Sequence, residues 1–379
     1  MRFGLSEDQL AMKKAARDFL DRAAPITAVR AAIETADGFD RGTWATLAGE
    51  LGFTSLPFCE ADGGLGLSWV EVAVVMEEMG RALLPGPYLG SVCLAGAAIE
   101  AGGRREQRAE WLGRISSGTI ATLVSTDAAG SPSATATTIV ATPSNGDVVL
   151  SGEAGFVVDG VSAELLVVAA RAPGSSGADG LSLFIVDAAA EGVSRRALPT
   201  MDHTRRLAHV RFEGVRVPAS SALGEPGSAH PALVRALDIA AIALAAEQVG
   251  GAERCLELSV DYAKTRQQFG RAIGSFQAIK HACADMLVDV EMARAAAWYG
   301  AFAAGEQEPG ELARAASQAK AVASDAYFRN ASRSIQIHGG IGFTWEHDAH
   351  LHFKRARAAA TLLGDPAYHR DRYATELGL

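Results

Sequence analysis

The 379-residue sequence lacks the features that mark several classes of protein. Its only cysteines are Cys59, Cys93, Cys255 and Cys283, and no two of them form a Cys-x-x-Cys pair. This spacing argues against a disulfide framework or a cysteine zinc site, so we expect buried thiols. An excess of basic residues is also missing. The net charge of −9 argues against a nucleic-acid partner, because phosphate contacts need clustered Lys and Arg.

Long apolar runs and targeting signals are absent as well. The longest nearly apolar run, residues 239–246, is too short to span a bilayer, and the N-terminus shows no apolar signal-peptide core. No Gly-x-Gly-x-x-Gly motif follows a strand pattern, and no Walker loop or His-Glu-x-x-His motif occurs. We therefore expect a cytoplasmic protein with no membrane partner and no Rossmann-type nucleotide site.

Three segments that differ in their periodicity and composition follow one another along the chain. Residues 1–117 show helical periodicity, which starts after a capping signal at Ser6. Residues 118–225 alternate short β-branched runs with Gly, Asn and Asp, and Asn145-Gly146 predicts a hairpin turn. Residues 226–379 are helical again, which predicts a helical domain, an all-β domain and an antiparallel helical bundle. The clearest helical patterns cover residues 69–81, 233–266, 276–303 and 311–338.

Two motifs at the ends of long helical patterns offer groups that suit an anionic, planar ligand. The stretch Tyr262-Ala-Lys-Thr-Arg-Gln-Gln-Phe-Gly270 provides a guanidinium for a pyrophosphate and aromatic rings for a purine. The stretch Gln336-Ile-His-Gly-Gly340 provides an amide and glycines that allow close backbone approach. Each motif alone also fits an ordinary helix end. Both together favour a cofactor site formed by Arg266, Gln268, Phe269, Gln336, Gly339 and Gly340.

These motifs resemble the two C-terminal signatures of the acyl-CoA dehydrogenase flavoproteins, and the resemblance covers almost the whole chain. Residues 57–67 are similar to the family's Pro-x-x-x-Gly-Gly-x-Gly loop, and residues 210–218 are similar to the exit of its β-domain. The resemblance implies an α+β multidomain fold: an N-terminal helical domain, a central β-barrel and a C-terminal four-helix bundle.

The resemblance also implies a cofactor, a reaction and partners. The cofactor would be FAD, whose adenine and pyrophosphate half the six residues named above would hold in the neighbouring subunit. The reaction would be α,β-desaturation of an acyl-CoA thioester. A carboxylate removes the α proton while the β hydrogen leaves as hydride. An electron-transfer protein would accept the electrons.

The side chains expected to supply the family's catalytic base are missing. The commoner position, after Phe353-Lys-Arg-Ala-Arg357, falls at Leu363, and the alternative position falls at Ala240. Neither side chain can abstract a proton, so we expect no catalytic residue at these positions. Asp238 and Glu247 are nearby carboxylates that could replace the base, but they also suit a helix surface or a buried pair.

The segments expected to contact the flavin ring also depart from the family's motifs. Thr126-Asp-Ala-Ala-Gly-Ser131 stands where the family has Thr-Glu-Pro-x-x-Gly-Ser, and Phe156-Val-Val-Asp-Gly160 stands where it has Trp-Ile-Thr-Asn-Gly. In the family these contacts come from the subunit that carries the base. The chain therefore retains the residues that would contact the FAD of a neighbouring subunit. It lacks most of the residues that would contact a flavin ring in its own subunit.

Three hypotheses explain this pattern. The leading one is the base-less subunit of a heteromeric acyl-CoA dehydrogenase, similar to the two-gene enzymes of actinobacterial steroid degradation, with a homologous catalytic subunit completing a heterotetramer. The second is a self-sufficient homo-oligomeric dehydrogenase in which Asp238 or Glu247 is the base. The third is a non-enzymatic scaffold that has lost flavin.

Three closely spaced histidines, His347, His350 and His352, are the remaining candidate for chemistry. Three imidazoles bind zinc when they converge on one point. No ligand of another type or catalytic carboxylate motif accompanies them, so we expect no metal site and an ordinary polar face.

Overall fold

The computed structural model describes residues 4–305 and 310–379, and the chain divides into two compact units. The helical unit comprises Met1–Ala31, Trp69–Leu84 and Ala241–Leu379, and the sheet unit comprises Ala32–Ser68 and Pro85–Ala240. The division of the chain into three domains at residues 117 and 225 stays a prediction.

The helices confirm the periodicity of the sequence. Ser6 caps the first helix, because its hydroxyl accepts from the N–H of Gln9 at 3.2 Å while the Gln9 side chain accepts from the N–H of Ser6. No helix in the described residues is both long enough and apolar enough to span a bilayer. The helices are α1 (Glu7–Ala23), α2 (Ile26–Ile33), α3 (Arg41–Gly49), α4 (Trp69–Arg81), α5 (Ala97–Gly102), α6 (Arg105–Ser116), α7 (His230–Thr265), α8 (Gln277–Ala303), α9 (Glu311–His338), α10 (Ala349–Thr361) and α11 (Pro366–Glu376).

The strands of the sheet unit form one mixed sheet in the order β6-β7-β3-β2-β4-β5-β8, with β1 pairing in parallel to β4. Asn145 and Gly146, with φ of 50° and 87°, form the predicted turn between the second and third strands. The strands are β1 (Ala121–Val124), β2 (Val140–Ser144), β3 (Asp147–Val158), β4 (Leu165–Arg171), β5 (Leu181–Asp187), β6 (Val193–Ala197), β7 (Leu207–Pro218) and β8 (Ala222–Leu223).

The predicted central β-barrel is not confirmed, because the sheet is not closed in the described residues. Its edge strands β6 and β8 do not pair with each other in the described residues. Closure requires a continuous ladder around the axis, and β8 has only two residues to offer. The other edge strand exposes Ser194 and Arg196, polar side chains that discourage further pairing.

The C-terminal segment is helical, as predicted. Helix α9 packs against α8, α10 and α11 in the helical unit. This unit also includes α1 and α4 from the N-terminal part of the chain. The description as a four-helix bundle therefore stays a prediction.

Two glycines allow α4 and α7 to cross at close range within the helical unit. A Cβ atom built on Gly80 would lie 1.9 Å from the carbonyl oxygen of Glu247. A Cβ atom built on Gly250 would lie 1.7 Å from the carbonyl oxygen of Glu77. No other residue fits at either position, so the glycines set the separation of the two helices.

Helix α4 also carries two buried carboxylates that bind cations of its neighbours. Glu77, 1% exposed, accepts hydrogen bonds from Lys13 of α1 at 2.8 Å and from Arg294 of α8 at 3.0 Å. Glu78 accepts from Arg17 of α1 at 2.7 Å. Although burial raises the pKa of Glu77, Lys13 and Arg294 hold it below its ordinary value. These ion pairs join α1, α4 and α8.

The short link between α10 and α11 is held by a lysine that is fully buried. Lys320 of α9 donates to the carbonyl oxygens of Ala360 at 3.2 Å and Gly364 at 3.0 Å. His369 of α11 donates from Nε2 to the carbonyl oxygen of Leu363 at 2.9 Å. Burial lowers the pKa of Lys320 to about 7. Side chains thus satisfy carbonyls that a helix end leaves without partners.

The expectation of buried thiols holds for only part of the cysteines. Cys93 and Cys255 are buried and Cys283 is partly buried, but Cys59 is exposed. Cys59 precedes a single turn of helix in the glycine-rich loop, where its thiol donates to the carboxylate of Asp62 at 3.0 Å. A loop on the surface gives the thiol no core to enter, which the sequence pattern did not indicate.

Replacing Lys320 by Met will remove a rise of stability with pH. Lysine in an unfolded chain has a pKa of about 10.4. Between roughly pH 7 and that value, the unfolded wild-type chain therefore binds a proton that the folded chain does not. We expect the free energy of unfolding to increase with pH across this window in the wild type and to stay flatter in Lys320→Met. Urea unfolding at several pH values measures this.

The matched control for this measurement is Lys280→Met, because Lys280 is exposed on α8. The control should retain the wild-type dependence on pH. An equal slope in Lys320→Met and the wild type would show that the buried amine does not titrate in this range.

Candidate functional site

The first predicted motif forms a small hairpin directly after α7. Strands β9 (Gln267–Gln268) and β10 (Arg271–Ala272) pair antiparallel, with Gln268 opposite Arg271. The turn residues Phe269 and Gly270 have φ of 53° and 77°, as a tight two-residue turn requires. Arg266 and Gln268 are exposed, and the ring of Phe269 is 90% exposed. The hairpin therefore presents a cation, an amide and an aromatic ring to the surroundings.

The second predicted motif forms the end of α9. Gly339 takes a φ of 66°, and its N–H bonds back to the carbonyl oxygens of Ile335 and Gln336. Cβ atoms built on Gly339 or Gly340 would meet nothing within 4 Å, so the backbone is open to a ligand on that side. The side chain of Gln336 is exposed. The motif therefore offers an amide beside an uncovered stretch of backbone.

A stack of rings brings the two motifs together in the helical unit. The ring of Tyr262, on the last turns of α7, lies 4.5 Å from the ring of His338 between centroids. His338 in turn lies 4.3 Å from His347. The expectation that an aromatic ring of the first motif stacks on a purine therefore applies to Phe269 rather than Tyr262, whose ring packs on His338.

The three clustered histidines contact three different side chains. His347 stacks on His338, and the ring of His350 lies 4.7 Å from that of Trp345. His352 is bonded at Nδ1 to the hydroxyl of Tyr327 at 3.0 Å, and burial lowers its pKa to about 3. Among the described residues, no group of three or more histidine, cysteine or acidic side chains is arranged to hold a metal ion.

The exposed groups of the two motifs suit part of a flavin dinucleotide. A guanidinium matches a pyrophosphate in geometry and charge, and the amides of Gln268 and Gln336 add hydrogen-bond donors. An exposed ring such as Phe269 can cover a purine. The donor set therefore fits the adenine and pyrophosphate half of FAD.

The two segments predicted to face the flavin ring lie together in the sheet unit, where they contact each other. The hydroxyl of Thr126 donates to the carbonyl oxygen of Gly155 at 2.7 Å. A Cβ atom built on Gly130 would lie 2.6 Å from the ring of Phe156, so that ring covers the turn. The Thr126 hydroxyl and the ring of Phe156 are therefore engaged within the chain.

The structure places no free carboxylate at either predicted base position. Leu363 is partly buried with a left-handed φ of 60°, and Ala240 is completely buried on α7. The carboxylate of Glu247 accepts from Nε of Arg355 of α10 at 2.9 Å, and both side chains are buried. Asp238 is also buried. Glu247 therefore occupies the buried pair that the sequence left open as its alternative role.

Sequence reasoning missed the residues that hold these segments in place. The rings of Tyr262, His338 and His347 stack on one another, although the two histidines lie in separate sequence motifs. Lys320 and His369 bind backbone carbonyls of the link that contains Leu363. A lysine inside the apolar pattern of α9 was a usable signal, because an unpaired buried charge is costly. The ring stack left no such signal.

Comparisons with known proteins agree with these observations. The model of the acyl-CoA dehydrogenase N-terminal domain matches residues 6–119, and that of the acyl-CoA dehydrogenase C-terminal domain matches residues 231–378. Acyl-CoA dehydrogenase IpdE2 of Mycolicibacterium smegmatis is 35% identical over 98% of this chain and 100% of its own length.

Solved structures share the fold along the whole chain. The ChsE4-ChsE5 complex from Mycobacterium tuberculosis matches with a TM-score of 0.90 and 27% identity, covering 100% of this chain and 99% of that one. A variant of the Tcur3481-Tcur3483 steroid ACAD matches with a TM-score of 0.87 and 29% identity, covering 98% of each chain. Similarity of this extent, in sequence and in fold, means that the chain belongs to the acyl-CoA dehydrogenase family of FAD-dependent oxidoreductases.

Proposed function

We propose that this chain is the base-less subunit of a heteromeric acyl-CoA dehydrogenase. The contrast between the two halves of the site carries the proposal. The half around Arg266 and Gln336 is exposed and rich in donors, whereas the base positions hold Leu363 and Ala240. A homologous subunit would supply the missing carboxylate and the flavin-ring contacts. The similarity to the ChsE4-ChsE5 complex supports a partnership of two different chains.

In this arrangement the chain completes a site on its partner. FAD, when bound, supplies the acceptor for the β hydrogen of the acyl-CoA thioester. Arg266 would neutralise the pyrophosphate, and the amides of Gln268 and Gln336 would orient it. Phe269 would cover the purine and keep water away from it. The open backbone at Gly339 and Gly340 would let the cofactor approach closely.

Exposed apolar rings near the two motifs favour a protein partner. Phe343 is 80% exposed and Trp345 is 56% exposed, and both follow the second motif closely. Large apolar side chains grouped at a surface commonly mark a protein interface. The same surface would therefore contact the catalytic subunit and reach its cofactor.

The substrate class we infer is a steroid-derived acyl-CoA thioester, oxidised by the assembled enzyme with an electron-transfer protein as acceptor. Similarity to the Tcur3481-Tcur3483 steroid ACAD supports the steroid moiety.

The purified chain alone should show no dehydrogenase activity. We expect activity only after co-expression with a homologous chain that carries glutamate at the position of Leu363. The assay measures reduction of an artificial electron acceptor with a steroid-ring acyl-CoA and with a straight-chain acyl-CoA. Turnover by this polypeptide alone would refute its role as a base-less subunit. A colourless assembly without flavin absorbance would favour the scaffold hypothesis.

Replacing Arg266 by Ala should weaken FAD binding by the assembled enzyme. A hydrogen bond to a charged group contributes about 1.5–3 kcal/mol, so the Kd should rise roughly tenfold to a hundredfold. Equilibrium dialysis of the assembly measures the Kd. The matched control is Arg271→Ala in the same hairpin, because the Arg271 guanidinium lies over the ring of Phe276 at 4.2 Å. A Kd of Arg266→Ala equal to that of the wild type would exclude a role for Arg266 in holding FAD.

Replacing Glu247 by Gln should reduce stability without removing catalysis. The change removes the carboxylate charge that pairs with buried Arg355, and breaking a buried ion pair costs about 3–5 kcal/mol in the free energy of unfolding. Turnover per folded assembly should remain at the wild-type value, both in this variant and in Asp238→Asn. Exposed Glu50→Gln is the control for stability. Lost turnover with intact flavin in either variant would identify a displaced base and support a self-sufficient enzyme.

A further inference from the structure

The three-ring stack joins segments that are far apart in the sequence. Tyr262 belongs to α7, His338 is the last residue of α9, and His347 lies beyond the glycine turn. The ring planes are tilted by 32° between Tyr262 and His338 and by 49° between His338 and His347. His338, the middle ring, is only 4% exposed. Aromatic contacts of this kind contribute about 0.5–1.5 kcal/mol each beyond the burial of their area.

Hydrogen bonds to the backbone fix both imidazoles of the stack. Nδ1 of His338 donates to the carbonyl oxygen of Ser334 at 2.7 Å, which orients the ring from within α9. Nδ1 of His347 accepts from the N–H of Ala349 at 3.1 Å. Arg30 of α2 donates to the carbonyl oxygen of His347 at 3.1 Å and to Asp348 at 2.8 Å. The end of the glycine turn is therefore anchored before it meets His338.

We propose that Tyr262, His338 and His347 are positioning residues that hold the Arg266 hairpin and the glycine turn in one arrangement and that release it in acid. The predicted effect of the stack on FAD affinity rests on the proposed function. Its effect on the unliganded chain does not depend on any partner. Because the three rings pack on one another, the stack would act on the cofactor through Arg266, Gln336 and the open backbone beside them.

The sensitivity to acid follows from the surroundings of the two histidines. Burial lowers the pKa of His338 and of His347, and these two rings also face each other. Arg30 lowers the pKa of His347 further, against the opposing effect of Asp348. Because an unfolded histidine has a pKa of about 6.5, the contribution of the stack to stability is complete above that pH. It is lost as the pH falls below 6.5, where the unfolded segment binds protons more readily.

The test compares two substitutions of the middle ring. His338→Ala removes the ring, whereas His338→Phe keeps an aromatic ring that cannot take up a proton. The control is His281→Ala, because His281 is exposed on α8. Amide hydrogen exchange of residues 266–272 is followed by mass spectrometry on the purified chain without flavin, and FAD affinity is measured on the assembled enzyme.

We expect exchange in the hairpin to be roughly tenfold faster in His338→Ala and unchanged in His281→Ala. His338→Phe keeps the ring contacts but loses the bond to Ser334, so its exchange should lie closer to the wild type than to His338→Ala. After correction for intrinsic rates, lowering the pH below 6.5 should accelerate exchange in the wild type but less in His338→Phe. The Kd for FAD should rise roughly tenfold in His338→Ala and return to the wild-type value in His338→Phe. If His338→Ala does not fold, Tyr262→Leu removes the outer ring instead.

Several outcomes would overturn the proposal. Unchanged hairpin exchange in His338→Ala would show that the stack does not hold the hairpin. Faster exchange with an unchanged Kd would reduce the stack to a structural contact. A wild-type assembly that binds no FAD would instead refute the proposed function, and the exchange experiment would still decide whether the stack couples the two segments.

Discussion

The close crossing of α4 and α7 is the constraint on which the helical unit depends. Gly80 and Gly250 let the two backbones meet, and this contact places α4 where Glu77 can bind cations from both α1 and α8. Two buried carboxylates in one helix would be costly without such partners. Backbone contact and charge pairing therefore reinforce each other. They provide the rigid support from which the ends of α7 and α9 project their exposed groups.

The polar groups of the chain fall into two kinds, and the difference bears on function. In the interior, buried carboxylates pair with cations, as Glu247 does with Arg355. At the ends of α7 and α9, Arg266 and Gln336 remain exposed beside uncovered backbone. In the proposed function, these exposed groups would meet a cofactor held by a second subunit.

Local signals in the sequence predicted local structure well. The capping pattern at Ser6 and the Asn145-Gly146 turn depend on a few adjacent residues, and the structure confirms both. Features that depend on distant residues were not predictable in this way. An open rather than closed sheet depends on how short β8 is, and the pairing of Glu247 depends on an arginine of α10. The family resemblance predicted which motifs come together, but not the rings that join them.

The backbone conformation at Leu363 does not depend on which side chain stands at this position. A left-handed backbone is unfavourable for leucine, yet the surrounding backbone is held by hydrogen bonds. His369 donates to the carbonyl oxygen of Leu363 itself, and Lys320 donates to those of Ala360 and Gly364. The geometry at this position is thus set by residues outside it. A lineage could exchange the side chain at 363 without disturbing the backbone. Loss of a catalytic group would then leave no trace in the fold, and related chains could differ in activity while superposing closely.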